Sequence, residues 1–70
     1  MKIYAVFAST NIISLGYDDK RLFLQVDFKS GWRYVYAGVP NAVFMAIYTA
    51  PSKGRAIRIL DNFPRVKTRI

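Results

Sequence analysis

The sequence predicts an α+β fold: a small antiparallel β-meander of three to five strands, with one main helix and a short second helix packed on one face. Three observations carry this. Apolar residues alternate with period two between Arg21 and Tyr36. Gly31 sits where a tight hairpin needs a left-handed residue. After Pro40 the apolar spacing becomes helical.

The first strand is expected at Ile3 to Ala8, rich in β-branched and aromatic residues and ended by the polar Ser9-Thr10-Asn11. Ile12 to Tyr17 follows, with Ile13, Leu15 and Tyr17 on one face and a turn at Asp18-Asp19. In the third strand, Arg21 to Phe28, the residues Leu22, Leu24, Val26 and Phe28 face one side; Arg21, Phe23, Gln25 and Asp27 face the other. Lys29-Ser30-Gly31 fits a three-residue hairpin. With Phe28 opposite Trp32, the residues Trp32, Tyr34 and Tyr36 extend the apolar face, and Arg33 and Val35 join the opposite one.

Pro40 suits a helix start, where its missing N–H goes unneeded. From Asn41 to Ala50, Val43, Phe44, Ile47 and Tyr48 recur at helical spacing. Ser52 is placed to cap a shorter helix with Ile57 and Leu60 inward and Arg55 and Arg58 outward. Asn62-Phe63-Pro64 ends it. The tail, Arg65-Val66-Lys67-Thr68-Arg69-Ile70, alternates basic with mostly apolar residues. It reads either as an edge strand or as an extended arm that orders on binding.

Composition narrows the chemistry. Seventy residues make one small domain, with 53% apolar residues to build its core. The chain has no His and no Cys, which excludes a thiolate nucleophile, an imidazole base, a disulfide and a sulfur–nitrogen zinc site. Its carboxylates are Asp18, Asp19, Asp27 and Asp61 alone, and adjacent Asp18 and Asp19 are better explained by turn chemistry than by acid–base work. Ser52-Lys53-Gly54 lacks the preceding glycine and spacing of a phosphate-binding loop. The expectation is a protein that is not an enzyme, with no catalytic residue, metal, cofactor or small-molecule substrate. The apolar run ending at Ala8 is shorter than the roughly 7–15 residues of a signal peptide core, and no run approaches the ~18 of a membrane span. A cytoplasmic protein without membrane contact is expected.

The net charge is +7, and residues 53–70 supply +5 of it. Such an excess points to an acidic partner. The candidate basic surface is Arg55 and Arg58 on the short helix with Arg65, Lys67 and Arg69 on the tail, because arginine grips phosphate or carboxylate in paired hydrogen bonds. A second candidate is the outer sheet face, where Arg21, Phe23, Arg33 and Val35 mix cations with an aromatic ring. Phe23 and Val35 either serve a ligand there or are covered by the first strand or the tail. Tyr34 and Tyr36 share the apolar face and read as core residues with hydroxyls at the rim, one of which could serve a ligand.

Several segments together resemble the KTSC domain: Ser9-Thr10-Asn11-Ile12, Gly16-Tyr17-Asp18, Leu22 through Phe28, Gly31, Tyr34-Val35-Tyr36, Val39-Pro40 and Ala50-Pro51-Ser52-Lys53-Gly54. That family is named for its place at the C-terminus of some lysyl-tRNA synthetases, and it also occurs as stand-alone bacterial and phage proteins. The resemblance implies a single domain over residues 1–70, with a core of residues 9–63 and a basic extended tail at 64–70. For function it implies RNA binding only as a suggestion. One departure stands out: after Gly54 the chain is shorter and more basic than the family pattern, reading Arg55-Ala56-Ile57-Arg58-Ile59-Leu60-Asp61-Asn62-Phe63. Size and charge are also similar to those of very small phage regulators that bind bacterial RNA polymerase. The expected function is a basic, non-enzymatic binding protein of gene expression. Its partner would be nucleic acid or a protein of the transcription or translation machinery, bacterial RNA polymerase among them. The alternative is a plain RNA-binding module for single-stranded or tRNA-like ligands.

Overall fold

The computed structural model describes residues 1–6 and 9–70. Its strands run in sheet order as they run in sequence: β1 (Lys2–Ala5), β2 (Ile12–Asp18), β3 (Phe23–Phe28), β4 (Trp32–Tyr36) and β5 (Arg65–Arg69), every neighbouring pair antiparallel. Helix α1 (Asn41–Thr49), the short α2 (Lys53–Ala56) and a 3-10 segment (Ile57–Asn62) lie between β4 and β5. The result is an α+β arrangement that is mostly sheet. Among the described residues, no helix is long and apolar enough to cross a membrane.

The β3–β4 hairpin forms as its sequence dictates. Gly31 adopts φ +94° and its N–H donates to the Phe28 carbonyl at 3.0 Å, closing the turn. Leu24 then pairs with Tyr36 and Val26 with Tyr34. On β2, Leu15 pairs with Val26 and Tyr17 with Leu24, so all six share one face. Leu15, Leu24 and Val26 are fully buried there together with Phe44 and Ile47 of α1 and Leu60 of the 3-10 segment. Helical spacing on α1 and period two on the sheet thus converge on one core.

Several details differ from the sequence expectation. The first strand is Lys2–Ala5, shorter than the Ile3–Ala8 expected, and Phe7 and Ala8 lie outside the described residues. Ile13 does not join Leu15 and Tyr17: a register shift between Ile12 and Ser14 inserts one residue, which sends Ile12 into the core and leaves Ile13 exposed. Leu22 takes the left-handed φ of +60° ahead of β3, and it is exposed instead of facing the core. Tyr48 sits at the rim, exposed but with its ring 4.9 Å from that of Tyr4. Ser52 precedes α2 without a side-chain cap; its carbonyl accepts the Ala56 N–H instead.

Pro40 stands just before α1, and its carbonyl accepts the N–H groups of Val43 and Phe44. This junction is pinned to the sheet by Tyr17. The Tyr17 hydroxyl donates to the Val39 carbonyl at 2.7 Å in a buried site, and its ring stacks on Phe44 with centroids 4.5 Å apart. Burial pushes the Tyr17 phenol above its ordinary pKa, so the hydroxyl remains a donor. Tyr17→Phe leaves the Val39 carbonyl unpaired and is expected to cost about 1–2 kcal/mol. Urea unfolding checks this; an unchanged midpoint would contradict the assigned role.

Candidate functional site

The tail is the edge strand of the sheet, the first of its two expected forms. It is tied at both ends: the Ala37 N–H donates to the Pro64 carbonyl at 3.0 Å, and the Ile70 N–H to the Gly31 carbonyl at 2.9 Å. Between these bonds the register sets Arg65 opposite Tyr36, Lys67 opposite Tyr34 and Arg69 opposite Trp32. Cations and aromatic residues therefore share one face of the β4–β5 ribbon, the face on which the helices pack further along the sheet.

The side chains interleave. The Lys67 ammonium lies 4.2 Å from the Trp32 ring centre and 5.8 Å from that of Tyr34. The Arg69 guanidinium is 4.6 Å from Trp32, and that of Arg65 is 5.1 Å from Tyr34. Tyr34 in turn meets Phe28 edge-on at 5.2 Å. Trp32 and Tyr34 are half-buried, whereas Tyr36 is buried at 3% exposure. Burial raises the Tyr36 phenol pKa, with the positive charge of Arg65 pulling the other way. A cation over an exposed ring gains about 0.5–1 kcal/mol, enough to restrain a long side chain without neutralising it. None of the three cations has a carboxylate partner among the described residues.

The other expected site residues fall into separate places. Arg55 on α2 and Arg58 on the 3-10 segment are exposed, and no hydrogen bond or ring contact joins them to β5 among the described residues. Phe23, Arg33 and Val35 do lie on the outer sheet face, where Phe23 and Val35 are half-buried and Ile3 and Val66 are exposed. One row across that face runs Ile3, Gly16, Gln25, Val35 and Val66. Arg21 does not belong there. The left-handed Leu22 breaks the alternation and carries Arg21 into the β2–β3 turn, where it lines an open groove of about 600 Å³ with Tyr4, Tyr17, Asp18, Asn41 and Phe44.

Arg33 is also not a free cation. Its Nε donates to Asp27 Oδ1 at 2.8 Å and its Nη2 to Oδ2 at 3.0 Å, a two-pronged pair across the hairpin. The carboxylate raises the guanidinium pKa further through that hydrogen bond and its charge. Asp27 is only 9% exposed, so Arg33→Gln strands a carboxylate. With 37% of the Arg33 side chain open to solvent screening, a loss of stability is expected, moderated by that screening. Denaturation of the variant at neutral pH checks this, and unchanged stability would return Arg33 to the candidate ligand-binding residues.

The acidic turn behaves as its sequence indicates. Asp18 Oδ1 accepts the N–H groups of Lys20 at 3.0 Å and Arg21 at 3.1 Å. The Arg21 hydrogen bond is the main reason the Asp18 carboxyl sits below its ordinary pKa of 3.8. A lowered folded-state pKa stabilises the turn above that ordinary value, and the contribution is lost as pH falls through the folded one. Among the described residues, no three His, Cys, Asp or Glu side chains group to hold a metal.

The rings under these cations are not among the expected site residues: the sequence places Trp32 on the apolar face and reads Tyr34 as a core residue with its hydroxyl at the rim. The available signal was the match between two alternating segments: Trp32-Tyr34-Tyr36 against Arg65-Lys67-Arg69, each five residues long.

Comparison with known proteins gives the fold a family. The chain is 45% identical over 47 residues to an uncharacterized protein of Stutzerimonas stutzeri (strain A1501), covering 67% of this chain and 66% of that one, just under two thirds of the relative's length. The crystal structure of a KTSC domain protein from Yersinia pestis superposes with a TM-score of 0.81 at 29% identity, covering 99% of this chain and 96% of the other. The KTSC domain profile matches residues 8–59, and the chain belongs to the KTSC domain family.

Proposed function

We propose that this chain is a small, non-enzymatic binding protein of gene expression that grips nucleic acid through β5. One observation carries the reading: Arg65, Lys67 and Arg69 stand in a row on one strand face, held by aromatic rings and free of carboxylate partners among the described residues. A cation paired with a carboxylate has its field neutralised locally, whereas an unneutralised row attracts a polyanion and releases its counterions on contact. The protein acts in the cytoplasm, that of the host where the chain is phage-encoded. In this reading it needs no further partner and serves as an RNA-binding module.

A second reading has its own support. The outer sheet face carries Phe23 and Val35 half-buried with Ile3 and Val66 exposed, and no second layer covers it among the described residues. Such a face fits docking on nucleic-acid-handling machinery such as bacterial RNA polymerase. Affinity capture from a bacterial lysate, with and without nuclease, separates the two. Capture abolished by nuclease supports direct nucleic-acid binding. A nuclease-resistant polymerase complex that is lost in Phe23→Ala supports the second reading and overturns the first.

A further inference from the structure

The β5 row carries more than charge, because its cations lie on aromatic rings. Resting on the reading of β5 as a nucleic-acid-binding strand, we propose that the ligand is a single strand and that Trp32 and Tyr34 are the platforms on which its bases stack. In the free protein those platforms are held by Lys67, Arg69 and Arg65.

The balance of contacts favours the exchange. A cation resting on an exposed ring contributes about two- to fivefold to an equilibrium constant. A base stacked on the same ring contributes about fivefold to a hundredfold. The displaced cation does not go unpartnered, because the incoming strand brings its own phosphates, and hydrogen bonds between ions are stronger than the ring contact. Each ring thus exchanges a cation for a base while each cation exchanges a ring for a phosphate. A duplex cannot make the exchange, since its base faces are already stacked within the helix and only its phosphates reach the row.

Dimensions agree with a short single-stranded site. Residues Arg65, Lys67 and Arg69 occupy alternate positions of an extended strand, about 7 Å apart, so the row spans ~14 Å. Hydrogen bonds at Ala37–Pro64 and Gly31–Ile70 fix both ends of this row against β4, which keeps rings and cations in one register. The site would accept on the order of four nucleotides, the lower end for sheet-based single-strand binders. Neighbouring Phe28 packs edge-on against the Tyr34 ring at 5.2 Å and restrains it.

The chain contains a single tryptophan beside five tyrosines, so fluorescence excited selectively at the indole reports on this site alone. The experiment titrates the whole protein with three probes of one length: a mixed-sequence single-stranded oligonucleotide, its duplex, and an abasic single strand with the same phosphates. Binding is followed in parallel by anisotropy of a label on each probe. The single strand is expected to quench Trp32 saturably and to bind at least fivefold more tightly than the other two, which leave the fluorescence nearly unchanged. Trp32→Phe should keep that preference and Trp32→Leu should reduce it to what Tyr34 alone supplies, with the salt dependence of the residual binding unaltered in both. Equal affinity for all three probes, or equal quenching by the abasic strand, overturns base stacking while leaving nucleic-acid binding by β5 intact. No binding of any probe overturns both.

Discussion

Replacing Arg65, Lys67 and Arg69 together with glutamine is expected to weaken binding to a single-stranded oligonucleotide by about tenfold to a hundredfold at physiological salt. The log–log salt dependence should flatten at the same time by about two, because each phosphate neutralised on a single strand contributes ~0.7 to the slope. All three side chains are exposed on an edge strand, and the backbone bonds of β5 do not depend on them, so the fold should survive. Changing Arg55 and Arg58 in the same way should have the smaller effect, since no ring contact or ion pair restrains those two among the described residues. Anisotropy measured over a range of salt concentrations provides the check. Parallel lines for the wild type and the triple variant would remove β5 from the interface.

Leu24→Ala is expected to have the largest effect on stability. Leu24 is fully buried in the central strand, between Tyr17 of β2 and Tyr36 of β4. Truncating a leucine in such a position costs about 2–5 kcal/mol, the transfer term plus the cavity. A chain of this length has only about 3.5–10 kcal/mol in total, so the variant loses roughly half its stability or unfolds. Leu22→Ala, two residues away, should change stability by no more than about 0.5 kcal/mol, since Leu22 is 37% exposed. Urea midpoints with a common m-value test the pair, and similar losses at both positions would contradict the face assignment.

What the sequence made legible follows the range of the forces involved. The β3–β4 hairpin and α1 could be read from it because local terms decide them: the left-handed Gly31, alternation along β3 and β4, and the apolar stripe of α1. Ile13 could not, since a bulge reverses a face without changing the composition around it. Arg21 moved for a similar reason, the positive φ of Leu22, which a leucine does not advertise. The salt bridge of Arg33 with Asp27 was within reach, because the hairpin register places those residues opposite each other. For the site, the cations of β5 were visible as charge, but their partners depended on which strand the tail joins. That pairing spans the whole helical segment, and only the structure brings Trp32 and Tyr34 under Lys67, Arg69 and Arg65.

The most direct measurement of the central claim is the salt dependence of wild-type affinity for a short single-stranded oligonucleotide. Three phosphates engaged by Arg65, Lys67 and Arg69 predict a log–log slope of about −2 or steeper. A slope near zero with correctly folded protein would contradict the assignment of β5 as a nucleic-acid-binding strand.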